Sequence, residues 1–368
     1  MTARWIRDDY RAYLVAVPAG CLVGLVGGAF RWCLERADML RGQLLESAAG
    51  LGGPGWLIPM ALASVGAAVA CAIARRVPHA AGSGIQHVEA VWREETGPGP
   101  RDPRLLPTKF FGGLVAIGSG LVLGREGPIV HMGASIGAEA GRRTRLNAED
   151  ARLLHTALSG AGLAAAFTAP LGGLLFVCEE VTRTVRPRLV LLTLLGTTSA
   201  VVCCRFLVGD APVFPVSGVP VPPVWMLFVF LLVGAAAGAL GAAYSTLVVG
   251  MLAVGDRLTR VPLVVRAAVI GAAVGLLMAY DPVLAGGGDP LTQRLLTGGS
   301  PAVATLAAYL AVRFVAGPLS YAAATPGGLF APLLVPLLLA CFAAALAADH
   351  LESEPIYDSL RRRMPERP

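Results

Sequence analysis

The chain is short of charge and almost without lysine. Charged residues fill 15% of its 368 positions, and Lys109 is the sole lysine, where a soluble domain carries about 25% charged residues. With 55% hydrophobic residues and a mean hydropathy of +0.66, that deficit excludes an ordinary water-soluble globule. No C-x-x-C occurs among the seven cysteines, which sit mostly inside apolar runs and read as small hydrophobes. H-E-x-x-H, a nucleophile elbow and a P-loop are all missing, and His79, His87, His131, His155 and His350 show no metal-ligand spacing. Neither an enzyme nor a resident cofactor or metal is expected. The positive charge is spread along the chain, which argues against nucleic acid as a partner. The first apolar run has no small-residue cleavage site, so it reads as a span rather than a removable signal.

What the chain does have is apolar runs of bilayer length, ~20 residues each. They fall at about 12–31, 56–74, 153–178, 188–208, 224–253, 263–280, 301–319 and 327–348. Lipid offers no partner to an unpaired backbone group, so only helices or closed barrels span it. The runs are continuous rather than alternating, which rules out a barrel. The fold class is therefore an all-α polytopic membrane protein, with the lipid bilayer as its surroundings. Arg4, Arg7 and Arg11 in the N-terminal tail and Arg361, Arg362, Arg363 and Arg367 in the C-terminal tail place both tails on the cytoplasmic side. Arg31, Arg36 and Arg41 read as a loop after the first span. The Pro- and Arg-rich insert from Arg93 to Lys109 reads as a loop between helices, and the tail after Asp349 is too short for a domain. One integral membrane domain is expected.

Three apolar pieces are too short to span and are broken by glycine or proline: "AGSGIQHVEAVW", "LGREGPIVHMGASIGAEA" and "TPGGLFAPLLV". Two share a spacing, Gly124-x-x-x-Pro128 and Gly328-x-x-x-Pro332, as an internal repeat would. Interrupted helices in the two halves of a transporter point to a binding site at the midplane. A helix start carries about half a positive charge and several N–H groups without partners. Proline suits its first turn, and glycine lets the backbone approach a ligand. Such starts, aimed at one point, hold a small anion without a lysine or arginine buried beside it. Glu126, two residues before Pro128, is itself an anion at such a start. Charged, it takes the anion's place; protonated, it must leave. Intramembrane ionisable groups default to function, although a capping glutamate paired with Arg125 accounts for the same residue.

"GSGIQ" (82–86), "GREGP" (124–128) and "GGLFAP" (327–332) resemble the three signature segments of the CLC chloride channel and transporter family. "FTAPLGGLLFVCEE" (167–180) and "PIYDSL" (355–360) resemble two further family segments, and all five occur in the family's order. The resemblance implies an inverted repeat of broken, tilted helices converging on a midplane anion site. The first repeat would run over 12–186, the second over 187–348, and a terminal helix and cytoplasmic tail over 349–368, after a tail at 1–11.

By the resemblance, Ser83 gives its hydroxyl to the central anion and goes with chloride preference. The amides around Arg125, Gly127, Leu329 and Phe330 line the path, and Tyr357 closes the site from the inner side. Glu126 matches the external gate. Glu180, the second glutamate of "CEE", matches the inner proton-transfer glutamate of family exchangers; surface pairing of Glu179 and Glu180 with Arg183 or Arg186 is the plainer alternative. Gln86 stands where the family has proline, and His87 where glutamate is common. The implied function is chloride/proton antiport in the cell membrane, with chloride and protons as the transported partners. An uncoupled chloride channel, a fluoride-specific member and a non-transporting truncated member are the alternatives. Between Leu333 and Glu354 the family has more chain, on the order of 80 residues at bilayer-spanning lengths, so the second repeat reads as incomplete. The family's homodimer is the expected assembly, yet the shortened stretch takes in part of that dimer interface.

Overall fold

The computed structural model describes residues 2–95, 102–211, 226–288, 291–292 and 303–329. The described chain is overwhelmingly helical: α1 (Thr2–Gly50), α2 (Leu57–Ala74), α3 (Ile85–Trp92), α4 (Leu105–Gly118), α5 (Glu126–Arg143), α6 (Ala148–Phe167), α7 (Pro170–Phe176), α8 (Pro187–Val208), α9 (Met226–Arg257), α10 (Leu263–Tyr280) and α11 (Val303–Tyr321). Among the described residues, β-pairing is limited to two isolated bridges. Tyr10–Gly50 of α1, Gly234–Arg257 of α9, and α2, α8 and α10 are each long and apolar enough to cross a membrane. Leu14, Val69, Leu191, Phe206, Leu232 and Val269 project outward and are exposed, as suits helices whose solvent is lipid.

The runs expected at 56–74, 188–208, 224–253, 263–280 and 301–319 are α2 and α8 to α11. Three expectations change. The first span does not end near residue 31, because α1 continues to Gly50 and carries Arg31, Arg36 and Arg41 within the helix. Each of these charges has a partner. Arg31, 5% exposed, donates to the Ala165 carbonyl at 3.0 Å, and Arg36 lies over the Trp32 ring. Arg41 pairs with Asp38 at 2.7 Å and donates to the Gly118 carbonyl, at the end of α4, at 3.0 Å.

The run at 153–178 is not one span. Thr168 takes a left-handed φ of 53° and ends α6, and Pro170 starts α7. A proline disfavours helical backbone in the residue before it, so the break falls at Ala169. After α7 the chain closes in a single π-helical turn, Val177–Val181.

The insert reaching Lys109 is not all loop. Helix α4 begins at Leu105 and takes Lys109 into the interior, fully buried. Of the run at 327–348 only residues 327–329 are described, and the shortened stretch between Leu333 and Glu354 lies outside the described residues.

The closest helix pairs meet through small residues, which let backbones touch where no side chain fits between. A Cβ on Gly133 of α5 would overlap the Leu158 carbonyl oxygen of α6 and lie 3.2 Å from the Gly162 nitrogen. Reciprocally, a Cβ on Gly162 would overlap the Ile129 carbonyl oxygen and lie 2.8 Å from the Val130 Cα. This contact fixes the position of α5. Helix α6 is itself capped by Asn147, whose side chain accepts from the Asp150 amide at 2.8 Å. The buried Asp150 carboxylate then meets Arg188 of α8 at 2.5 Å.

Candidate functional site

Three glycine loops, far apart in the sequence, meet at one junction. The first precedes α3, the second precedes α5 and the third follows α11. The Gly82 amide donates to the Thr325 carbonyl at 3.0 Å, and the Gly327 amide donates back to the Gly82 carbonyl at 3.1 Å. Gly124 and Gly328 exchange both hydrogen bonds, at 2.7 and 2.8 Å. The third loop thus zips to the other two through main chain alone. Glycine is required at Gly82 and Gly84, where φ is +67° and +89° and an L side chain is strained.

Two buried side chains hold the first loop from behind. Lys109 Nζ donates to the Ala80 carbonyl at 3.1 Å and the Gly82 carbonyl at 2.7 Å. Tyr321, at the end of α11, accepts from the Ser83 amide at 3.2 Å and also bonds the Gln86 side chain. Gln86 Oε1 in turn accepts from the Gly84 amide at 3.1 Å. The residue that replaces the family's proline therefore caps the start of α3. Sequence reasoning missed Lys109 and Tyr321. Lys109 had a signal, being the one lysine of the chain and directly followed by the apolar stretch 110–117, whereas Tyr321 had none.

The junction gathers most of the expected site residues. Ser83 is fully buried, and its hydroxyl has no hydrogen-bond partner among the described residues. It abuts Gly127: a Cβ there would overlap Ser83 Oγ and lie 3.1 Å from the Ser83 Cα. Gly328 lies on the other side, its own would-be Cβ 3.1 Å from the Gly127 nitrogen. Leu329, 3% exposed, follows in the same loop. A buried hydroxyl thus faces the first turn of α5, where amides have no intrahelical acceptor, with no Cβ in between. An arrangement of that kind can receive a small anion.

Glu126 occupies the first turn of α5 and is 1% exposed. Together with Gly124 and Arg125 it lines a cavity of about 180 Å3, whose other walls include Asp38, Arg41 and the glycine loop 286–288. At roughly 30 Å3 per water that is room for a small hydrated ion. Glu126 thus lines this cavity, and the next residue, Gly127, abuts Ser83. Glu180 is elsewhere: it is half-buried on the π-helical turn, which packs against α3 and α6. Arg186, one of the surface partners considered for it, lies over the Trp92 ring instead. Phe330 and Tyr357 lie outside the described residues.

A sequence model of the family described as Voltage gated chloride channel matches residues 65–354. The H(+)/Cl(-) exchange transporter ClcA of Cronobacter sakazakii is 36% identical over 348 residues, which cover 91% of this chain and 73% of that protein. The protein of the same name from Vibrio parahaemolyticus is 33% identical over 351 residues, covering 93% and 74%. Among solved structures, a slow cyanobacterial Cl-/H+ antiporter superposes with a TM-score of 0.85 at 24% identity, over 96% of this chain and 97% of that one. A CLC-type fluoride/proton antiporter gives 0.74 at 20% identity, over 95% and 84%. At these identities the two structures speak for the fold.

Proposed function

The chain belongs to the voltage gated chloride channel family, and from that premise we propose that it exchanges chloride for protons across a bacterial inner membrane. The observation that carries this reading is the junction: three glycine loops hydrogen-bonded into one seat, with the Ser83 hydroxyl buried and open at its centre. Chloride is held there by Ser83 and by the amides at Gly127 and Leu329. Dipoles bind an ion without trapping it, as passage requires.

Glu126 is the gate. As a carboxylate it takes the place of an anion at the first turn of α5. Protonated, it loses the attraction of the helix start and swings into the cavity beside Arg125, carrying its proton outward. Glu180 supplies protons from the other side. The division into repeats 12–186 and 187–348 belongs to this reading, since α3 and α5 come from the first and the 325–329 loop from the second.

The test is chloride efflux from proteoliposomes with pH recorded alongside, for the native chain and Glu126→Ala. Chloride flux that drives protons uphill, lost in the variant, is the expected result. Chloride flux without protons makes the protein an uncoupled channel. No flux from well-folded protein makes it a non-transporting member of its family.

A further inference from the structure

Three of the five histidines stand in file. His79, in the short helical turn Pro78–Ala80, meets His87 of α3 edge to face at 5.0 Å between ring centroids. The His87 ring lies parallel to that of His131 on α5, within 3° and 5.4 Å centroid to centroid. His79 and His87 are half-buried, and His131 is 1% exposed. The file therefore runs inward from a partly open end. His87 stands in the first turn of α3, and the turn carrying His79 packs against α2 and α4.

The inner end lies against the anion seat. A Cβ on Gly84 would overlap His131 Nδ1 and lie 2.7 Å from the His131 Cβ, so the ring rests directly on the backbone next to Ser83. Along α5, Gly127 faces Ser83 and His131 faces Gly84, one helical turn apart on the same side of the helix. Neither ring nitrogen of His131 has a hydrogen-bond partner among the described residues. Buried polar nitrogens left that way cost about 1–3 kcal/mol each, and proteins ordinarily satisfy them with buried water. A water bonded in plane to a nitrogen of each of two neighbouring rings, with bonds of roughly 2.8 Å, can relay a proton between rings that lie side by side.

The other ionisable groups around His131 are Lys109 from α4 and His155 from α6, and Glu89, two residues from His87 on α3, is also buried. Lys109 is committed to the Ala80 and Gly82 carbonyls. No element offers His131 a hydrogen-bonded carboxylate among the described residues, which suits a ring that passes protons on rather than storing one.

We propose that His79, His87 and His131 form a proton-conducting file that feeds the anion seat from its partly exposed end at His79. Each imidazole accepts a proton at one ring nitrogen and releases the proton of the other, so it ends neutral with its tautomer exchanged. The last proton leaves His131 towards Ser83 and from there to the carboxylate of Glu126. This rests on the exchange reading given above.

The experiment measures chloride and proton fluxes together in proteoliposomes of the full chain, for the native protein and for His131→Gln, His87→Gln and His79→Gln. Glutamine keeps size and polarity but cannot exchange a proton between two nitrogens. The expected result is near-native chloride flux in His131→Gln with protons per chloride down at least about tenfold, a floor below the usual contribution of a positioned proton-transfer group. His87→Gln should show a similar loss, and His79→Gln a smaller one. A purely structural role would lower both fluxes together. Native coupling in both His131→Gln and His87→Gln overturns the file and leaves the exchange reading standing. A native protein that moves chloride but no protons overturns both. Should His131→Gln fail to fold, half-buried His87 decides by its own ratio.

Discussion

Replacing Gly127 by alanine tests the anion seat most directly. The position is helical, so alanine is conformationally welcome and gains about 1 kcal/mol of helix propensity over glycine. The added methyl, however, would overlap Ser83 Oγ and lie 3.1 Å from both the Cα and the Cβ of Ser83. Backbone atoms at that distance give by a few tenths of an ångström, but the hydroxyl must turn away. Overpacking costs roughly 1–3 kcal/mol, so the net loss of stability after the helix gain is at most about 2 kcal/mol. Binding should suffer more visibly. Losing a hydrogen bond to a charged ligand is worth about 1.5–3 kcal/mol, a fall of roughly 10- to 150-fold in chloride affinity.

Ser83→Ala should weaken chloride by the same factor with no steric load. In the double variant the two effects should not add, because the hydroxyl that the methyl displaces is already gone. Calorimetric titration of chloride into detergent-solubilised protein reads all four affinities without relying on transport. Native affinity in Gly127→Ala, or clean additivity in the double variant, would refute the arrangement of hydroxyl and amides described here.

Further outcomes follow from the supports of the junction. Lys109→Met removes two charge-assisted bonds to the first loop, worth about 1.5–3 kcal/mol each, partly offset by no longer burying a charge; thermal unfolding in detergent should show a net loss of about 1–3 kcal/mol, and an unchanged midpoint would deny Lys109 its anchoring role. Gln86→Ala removes the acceptor of the Gly84 amide and should cost about 0.5–2 kcal/mol, the range for a lost helix cap, measured in the same melt. Gly162→Leu forces a side chain into the Ile129 carbonyl and the Val130 backbone; it should abolish the folded monodisperse peak in size-exclusion chromatography, whereas Gly42→Leu, where nothing lies within 4 Å of the would-be Cβ, should not.

How much of this was legible in the sequence depends on the range of the interaction that decides each feature. The starts of α3 and α5 were readable because their determinants are local: glycine where φ turns positive, Pro128 in the first turn, and a glutamate in an apolar run. The resemblance then carried Ser83, Arg125, Glu126, Gly127 and Leu329 to one neighbourhood, and the junction has them there. What holds that junction together was not readable. The bonds from Gly82 to Thr325 and Gly327, and from Gly124 to Gly328, join main-chain atoms some two hundred residues or more apart, and no side-chain pattern encodes a backbone partner.

Charge misled for a related reason. Arg31, Arg36, Arg41 and Lys109 were read as marking loops, because a charge in lipid or protein interior is costly. That rule holds for charges without partners, and here the Ala165, Gly118, Ala80 and Gly82 carbonyls supply them. The break between α6 and α7 had a local signal in Pro170, outweighed by an apolar run that looked continuous. In each case hydropathy gave the cost of a residue in isolation, and the fold supplied the partner that changed it. The same logic gives the histidines their interest. His131 is costly where it stands, and no protein group among the described residues satisfies either of its ring nitrogens, which is the observation that singles it out.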